Sequence, residues 1–338
     1  MNVKPSLRYV LLGAVLLASP LSGPVAAQQP TSVNPTASSV KEKQLLEALK
    51  PGSGDILSGR VSIPDAGGRN LIQPGGQEFR SFRDGTLSNV GKFGILGTLA
   101  LLAIFFLVRG RIRIAGGRSG LSIERFGSVS RFAHWLSATS FILLGLTGLN
   151  IAFGKSVLLP VIGPEAFATM TQAGKFVHNY VSFAFAIGIT MMFLMWVKDN
   201  VPSGRDITWF AQGGGLVGSK HPPADRFNGG QKLIFWSTVL GGIALSVSGY
   251  MMMFRPEGYG MSGMQFAMLV HGITGLVMIA IIFAHVYIGS IGMEGAFDAM
   301  GKGSVDLNWA KEHHSVWVEK VAKNNPEAIS GRASAPAE

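Results

Sequence analysis

The sequence predicts an all-α membrane protein with a core of four spanning helices and one extra spanning helix before them. Hydrophobic residues make up 47% of the 338-residue chain and charged residues only 14%, a composition typical of a lipid-embedded protein. Five apolar segments are each close to the roughly 20 residues needed to cross the hydrocarbon core of a bilayer. These segments are 90–108, 132–153, 176–197, 233–254 and 266–290.

Basic residues are concentrated in every second link between these spans. The link at 109–131 carries arginines and one acid, and the link at 198–232 is rich in Lys and Arg, whereas 154–175 and 255–265 carry few basic residues. Lys and Arg concentrate in loops that stay in the cytoplasm. We therefore expect the basic links and the tail at 293–338 to be cytoplasmic. This distribution explains the net charge of +10 without a nucleic-acid partner.

The N-terminal residues have the pattern of an export signal. Residues 1–27 combine Lys4 and Arg8, a short apolar run and a small-residue site before Gln28. An uncleaved anchor is the alternative. Residues 28–89 are rich in Pro, Ser and Gly, which predicts a low-complexity, poorly ordered periplasmic segment before the extra helix at 90–108. The expected location is the bacterial inner membrane, with the mature N-terminus periplasmic and the C-terminus cytoplasmic.

Two histidines on the last expected span are the strongest functional signal. His271 and His285 are fourteen residues apart, which is about 21 Å along a helix and close to the same face. His134 lies near the start of the second span and His178 near the start of the third. Ionisable residues inside a membrane span are rare and point to function.

The topology sorts these histidines by depth. It pairs His134 with His285 on the cytoplasmic side and His178 with His271 on the outer side. Two such pairs are what two stacked bis-histidine haems need, and the absence of Cys means that the haems would be bound without covalent links. The alternative is that each histidine is a packing residue, but four that pair by depth favour haem.

Glycines accompany the histidines on the expected spans. They are Gly145, Gly148, Gly272 and Gly275. Glycine would let a flat macrocycle approach the backbone, and ordinary close helix packing is an equally good explanation.

Several motifs resemble the cytochrome b, or gamma, subunit of membrane-bound formate dehydrogenase over about 125–320. They are RFGSVSRFAHW (125–135), KFVHNY (175–180), DNVPSGRDITW (199–209), RFNGGQKLIFW (226–236), LVHGITG (269–275), AHVYIGS (284–290) and WAKEHHSVW (309–317). The resemblance implies a four-helix dihaem cytochrome b domain at 125–292, with two haem b groups on the histidine pairs already deduced. The family pattern does not need residues 1–90 or the extra helix.

The resemblance also implies a function. An iron–sulfur (beta) subunit would pass electrons from the catalytic (alpha) formate dehydrogenase subunit through the two haems to quinone at the cytoplasmic side. The chain would not bind formate itself but would carry the quinone-reduction site. The family places quinone near Asn228, Gly230 and Gln231, although Asn-Gly-Gly from the residues alone predicts a plain turn.

Two other functions remain open at this stage. One is the cytochrome b of a membrane-bound hydrogenase, with the same haem layout and a different electron donor. The other is a transporter whose intramembrane histidines relay protons or bind metal, although the four core spans contain no Asp or Glu of the kind that such relays often use. The remaining histidines, His221, His313 and His314, are expected to be solvated; a docking surface is the less common alternative for the last two.

Overall fold

The computed structural model describes residues 75–215 and 221–328 of the chain. Within them five helices are long and apolar enough to cross a membrane, which confirms the predicted all-α membrane fold. These are α1 (Gly76–Arg109), α2 (Ser128–Val157), α4 (Pro164–Trp196), α6 (Gly229–Phe254) and α7 (Gly260–Gly292). The shorter elements are β1 (Ser122–Glu124), α3 (Leu159–Ile162), α5 (Gly204–Ala211), α8 (Asp298–Gly301), β2 (Ser304–Asp306), α9 (Leu307–His313) and α10 (Ser315–Asn324).

Helix α1 begins earlier than the sequence predicts. The expectation of a poorly ordered segment through residue 89 is wrong for its last part, because α1 begins at Gly76 and continues through a π-helical stretch at Ser81–Leu87. The early turns lie against α7: the Leu87 side chain approaches Gly272, and Arg83 contacts the sulfur of Met268. The predicted signal peptide at 1–27 and residues 28–74 lie outside the described part of the chain.

Four helices form the core bundle. Helix α2 packs along α4, α6 packs against α4 and α7, and α7 also contacts α2. Glycines lie at the closest contacts: a Cβ on Gly188 of α4 would lie 3.0 Å from the backbone nitrogen of Ser137, and one on Gly242 of α6 would lie 3.2 Å from Ile189. Small residues at such positions let membrane helices approach closely. The predicted four-helix bundle is therefore confirmed.

The extra helix α1 lies on the outside of this bundle, against α7. A Cβ on Gly91 would lie 2.6 Å from the side chain of Leu276, so only glycine fits the contact as it stands. Further along, the rings of Phe105 and Phe106 meet the ring of Tyr287 edge to face, with centroids 6.2 and 6.3 Å apart. Helix α1 thus follows α7 over most of its length.

The link between α1 and α2, the link between α4 and α6, and the tail after α7 meet at one end of the bundle, which we call the basic end. Strand β1 from the first link pairs with β2 of the tail in antiparallel register, with Ile123 opposite Val305. In the second link Arg226 pairs with Asp199 at 2.9 Å. The links between α2 and α4 and between α6 and α7 lie at the opposite end.

The tail is folded into the basic end. Ile123, Val305 and Trp309 are at most 3% exposed and form part of its hydrophobic core. Asp306 caps helix α9 by accepting the backbone N–H of Asn308 at 2.8 Å. The same carboxylate accepts the backbone N–H of Ser119 in the first link at 2.9 Å. One buried acid therefore fixes both the start of a helix and the path of a distant link.

Candidate functional site

The structure brings together the two histidines of each predicted pair. The ring centroids of His134 and His285 are 6.2 Å apart, and those of His178 and His271 are 6.1 Å apart. His134 lies near the start of α2 and His285 near the end of α7, so this pair is nearer the basic end. The other pair is nearer the opposite end. All four rings are half-buried.

The pair nearer the opposite end has its Nδ1 atoms hydrogen-bonded. Nδ1 of His178 lies 2.8 Å from the hydroxyl of Thr147, which itself donates to the carbonyl of Leu143 at 2.7 Å. The hydroxyl must therefore accept from Nδ1. His271 has a similar environment: its Nδ1 lies 3.1 Å from both the hydroxyl of Ser248 and the carbonyl of Leu245.

This network assigns the proton of each ring to Nδ1, because a carbonyl oxygen can only accept a hydrogen bond. The Nε2 lone pair of His178 and of His271 is then free. A metal-bound histidine usually donates its second N–H to such a partner, which fixes the ring and raises its basicity as a ligand.

The pair nearer the basic end is held differently. Nδ1 of His134 is buried and has no hydrogen-bond partner in the described part of the chain. The ring of Trp135 meets the His134 ring edge to face at 5.2 Å, and its indole N–H donates to the carbonyl of Met300 at 3.0 Å. His134 therefore lacks, in the described residues, the Nδ1 hydrogen bond that holds His178 and His271.

The spacing of the rings fits a metal between them. Two opposed imidazoles that each bind a metal at about 2.0–2.1 Å would have ring centroids about 6.3 Å apart. The observed separations are 6.2 and 6.1 Å. Neutral imidazole is a ligand of haem iron, and the chain has no Cys that could offer an alternative.

Two glycines lie against the rings nearer the opposite end. A Cβ on Gly148 would lie 3.4 Å from His178, and a Cβ on Gly249 would lie 3.2 Å from His271. The sequence singled out Gly148 but missed Gly249, because Gly249 is on α6, which carries no histidine. Gly272 and Gly275 instead face leucine side chains, which is helix packing. Of the two explanations considered for these glycines, room for a macrocycle therefore suits Gly148, and helix packing applies to Gly272 and Gly275.

Comparison with known families decides the class of this bundle. The family described as prokaryotic cytochrome b561 matches residues 125–303, which include all four histidines. The chain belongs to this family.

The cytochrome is also similar to named formate dehydrogenase subunits. It is 30% identical to the nitrate-inducible formate dehydrogenase cytochrome b556(Fdn) subunit of Escherichia coli K12 over 207 residues, which cover 60% of this chain and 92% of the relative. It is 28% identical to the formate dehydrogenase cytochrome b556(fdo) subunit of the same organism, with 60% and 94% covered. With the corresponding subunit of Haemophilus influenzae the identity is 26%, with 58% and 82% covered. The resemblance found in the sequence is confirmed.

The residues predicted to bind quinone in this cytochrome form a helix cap. The side-chain oxygen of Asn228 accepts the backbone N–H of Gln231 at 2.9 Å, and the Gln231 side chain accepts the backbone N–H of Asn228 at 3.1 Å. This reciprocal capping box starts α6. Gly230 lies under Trp209, because a Cβ there would be 2.8 Å from the indole ring. The Asn228 amide nitrogen makes no hydrogen bond to the described residues.

A cavity of about 270 Å³ adjoins this turn at the basic end. Its lining includes Trp209, Gly229 and Lys232 but not the three predicted quinone residues. Lys232 Nζ lies 2.9 Å from Asp206 and donates to the carbonyl of Val201 at 3.0 Å. Burial raises the pKa of Asp206, but hydrogen bonds from Lys232 and Ser203 outweigh it, so the pKa is lowered overall. No pattern in the sequence predicts that this lysine is buried.

His314 and Arg125 form a buried contact at the basic end that the sequence did not predict. His314 is fully buried rather than solvated; its Nδ1 lies 2.7 Å from the carbonyl of Asp225, and its Nε2 lies 3.1 Å from the Arg125 guanidinium. Arg125 contacts the faces of Phe126, Trp309 and Trp317 with its cationic centre 5.1–5.5 Å from the ring centroids.

Burial, and then the neighbouring Arg226, lower the pKa of Arg125 to about 9, so it stays cationic at neutral pH. Burial, and then the Arg125 charge, lower the pKa of His314 well below its usual value. His314 is therefore neutral and can accept a hydrogen bond from Arg125. This contact joins the link just before α2 to the tail through one charged group.

Proposed function

We propose that this membrane cytochrome b is the dihaem subunit of a formate dehydrogenase and passes electrons to quinone. The observation that carries the proposal is that the four histidines form two pairs. The ring centroids are 6.2 Å apart in the His134–His285 pair and 6.1 Å apart in the His178–His271 pair. His134 and His285 would hold one haem b and His178 and His271 the other. Haem at both positions would supply one-electron transfer between the two ends of the bundle.

The chain's own residues prepare these sites. Thr147 and Ser248 orient His178 and His271 by accepting their Nδ1 protons, which leaves the Nε2 atoms free. Gly148 and Gly249 remove side chains that would meet the rings. Along α7 the two sites are fourteen residues apart, or about 21 Å.

The electron donor would be an iron–sulfur (beta) subunit bound to a catalytic (alpha) formate dehydrogenase subunit. The names of the relatives, which are formate dehydrogenase cytochrome b556 subunits, support this choice over a hydrogenase. Electrons would enter at the His178–His271 site, which is nearer the periplasm in the orientation that we propose. That orientation rests on the basic links, since Lys and Arg favour the cytoplasmic side. It puts the mature N-terminus in the periplasm, the C-terminus in the cytoplasm and the protein in the bacterial inner membrane.

Quinone would be reduced near Asn228, Gly230 and Gln231 at the basic end. The Asn228 amide nitrogen has hydrogens free to donate to a quinone carbonyl, since only its oxygen is used in the cap. The buried Lys232–Asp206 pair adjoins the same turn and lines the cavity beside it. Charged groups in that position can deliver protons from the cytoplasmic side.

Haem quantitation on the purified chain tests the proposal. Pyridine haemochrome analysis should give about two non-covalent b-type haems per polypeptide, as two bis-histidine sites require. In the isolated complex formate should reduce both haems, and a quinone analogue should reoxidise them. A single haem per chain, or a complex that contains a hydrogenase instead of a formate dehydrogenase, would contradict it.

A further inference from the structure

Three side chains of metal-ligand type converge at the basic end, away from the haem positions. They are His221 from the link between α5 and α6, and Glu312 and His313 from the end of α9. One potential ligand atom from each lies within 4.8 Å of the other two. In the part of the chain that the structure describes, this is the one group of three or more such side chains that could share an ion.

The distances within the group resemble those around a bound ion. Glu312 Oε1 lies 3.2 Å from Nε2 of His221 and 3.7 Å from Nε2 of His313. Ligands that bind one tetrahedral zinc at about 2.0–2.1 Å are about 3.4 Å apart. The same Oε1 is buried and makes no hydrogen bond in the described residues, although His221 is so close. The two atoms are thus near each other without an aligned proton between them.

The environment keeps these groups ready to bind a cation. The side chains of Glu312 and His313 are 9% and 8% exposed, and that of His221 is 28% exposed, which leaves a path for an ion and a water molecule.

The second oxygen of Glu312 positions the carboxylate. Oε2 accepts the backbone N–H of Ala115 in the link between α1 and α2 at 2.9 Å. Hydrogen-bonded carboxylates of this kind are usual around metal sites, because the outer contact holds the ligand in place. Gly215, which has a φ of +71°, lies in the same link as His221 and brings its backbone close to both histidines. A Cβ on Gly215 would lie 3.8 Å from the His221 ring and 4.0 Å from the His313 ring.

We propose that His221, Glu312 and His313 bind a divalent cation of the zinc type, with water as the fourth ligand. Two imidazoles and one carboxylate are a donor set that zinc accepts in tetrahedral geometry. The ion would join the tail to the link between α5 and α6, and through Ala115 to the link between α1 and α2. Its role is to fix the folded basic end and not to take part in electron transfer.

Metal analysis of the full-length haem-loaded protein tests this site. After equilibration with zinc and removal of excess ion, the wild type should contain about one zinc per chain. His221→Ala, His313→Ala and Glu312→Gln should each lower zinc affinity by about 100-fold or more, beyond the loss typical of an outer partner. Glu319→Gln, an exposed acid on the next helix, is the matched control and should keep the zinc. The haem spectrum reports whether each variant folds.

A second measurement covers variants that do not fold. X-ray absorption spectroscopy at the zinc edge of the wild type should show two imidazole ligands and at least one further oxygen ligand. Haem iron does not interfere with this measurement, because its absorption edge lies at a different energy. Chelation should speed tryptic cleavage after Lys311 or Lys320 in the tail without changing the haem spectrum. The proposal is overturned if the wild type retains no zinc, or if zinc stays bound after all three side chains are replaced together. Neither result depends on formate or quinone turnover.

Discussion

The hydroxyl of Thr147 lies 2.8 Å from Nδ1 of His178 and donates in turn to the carbonyl of Leu143. Ser248 does the same for His271 on the other side of the site. No comparable partner exists in the described residues for Nδ1 of His134, which is buried and unpaired. The His178–His271 pair therefore has hydrogen-bond partners for its Nδ1 atoms that His134 lacks. A histidine that donates such a hydrogen bond is a more basic metal ligand.

We predict that Thr147→Val raises the reduction potential of one haem. Loss of the hydrogen bond makes His178 a weaker donor to ferric iron; a bond of about 1 kcal/mol corresponds to about 40 mV for one electron. A redox titration of the purified protein measures the shift. Thr139→Val is the control, because its hydroxyl bonds Trp135 of the same helix and touches no histidine. Equal potentials in the two variants would contradict the assignment of Thr147.

Removal of single histidines should separate the two proposed haems. His271→Ala should lose the haem nearer the opposite end and His285→Ala the one nearer the basic end, each leaving about one haem per chain, because loss of a ligand usually destroys a metal site. In the His271→Ala complex, formate should no longer reduce the cytochrome, but quinol should still reduce the remaining haem. In the His285→Ala complex, formate should reduce the remaining haem and quinone turnover should stop. Normal quinone reduction by His285→Ala would show that the order of the sites is wrong.

Two substitutions of Asn228 distinguish a cap from a quinone contact. Asn228→Asp keeps a capping oxygen but removes the amide hydrogens, whereas Asn228→Ala removes both and should cost about 1 kcal/mol of stability. If the amide binds quinone, Asn228→Asp lowers quinone turnover while haem content and thermal stability stay near wild type. Stability is followed by the thermal loss of the haem spectrum. Full quinone turnover by Asn228→Asp would show that Asn228 caps the helix and does not bind quinone.

The Asp206–Lys232 ion pair predicts loss of stability in acid. The folded pKa of Asp206 is lowered from its ordinary value, so its contribution is present above about pH 4 and is lost as the pH falls through the folded pKa. Asp206→Asn should lower the midpoint of thermal unfolding at pH 7, by the equivalent of about 1–3 kcal/mol, and should flatten its decline below pH 4.

Asp199→Asn is the comparison, because Asp199 pairs with Arg226 in a more exposed position, with side chains 38% and 33% exposed. An exposed ion pair contributes about 0–1 kcal/mol, so the effect should be smaller. Identical pH profiles for Asp206→Asn and the wild type would refute the contribution of the buried pair.

The sequence was sufficient for the features that depend on spacing along one helix. Fourteen residues between His271 and His285 and the alternation of basic links predicted which histidines meet. The helix bounds were less accurate, because polar turns before Ser88 are held by contacts with α7 that no local pattern reveals. The same holds for Asn228, where an Asn-Gly-Gly turn and a helix cap have similar sequence signals.

The burial of residues in the C-terminal tail could not be predicted from the sequence. His313 and His314 stand in a charged segment and were expected to be solvated, yet the structure buries both. The partners of His314 are Arg125 and Asp225, which are far away in the sequence. Arg125 directly follows β1, which pairs with β2 of the tail. Thr147 and Ser248 were missed for a related reason. Each hydroxyl also bonds its own helix, so only the packed neighbour shows its second function.

Helix α1 also changes what surrounds the helix that carries both His271 and His285. Gly91 brings α1 against Leu276, at a level between the two histidines, so protein occupies a surface of α7 that annular lipid would otherwise cover. Acyl chains exchange quickly and vary in length with growth conditions, whereas a covalently linked helix stays in place. On this side, the spacing and solvation of the two sites are consequently insulated from changes in membrane composition.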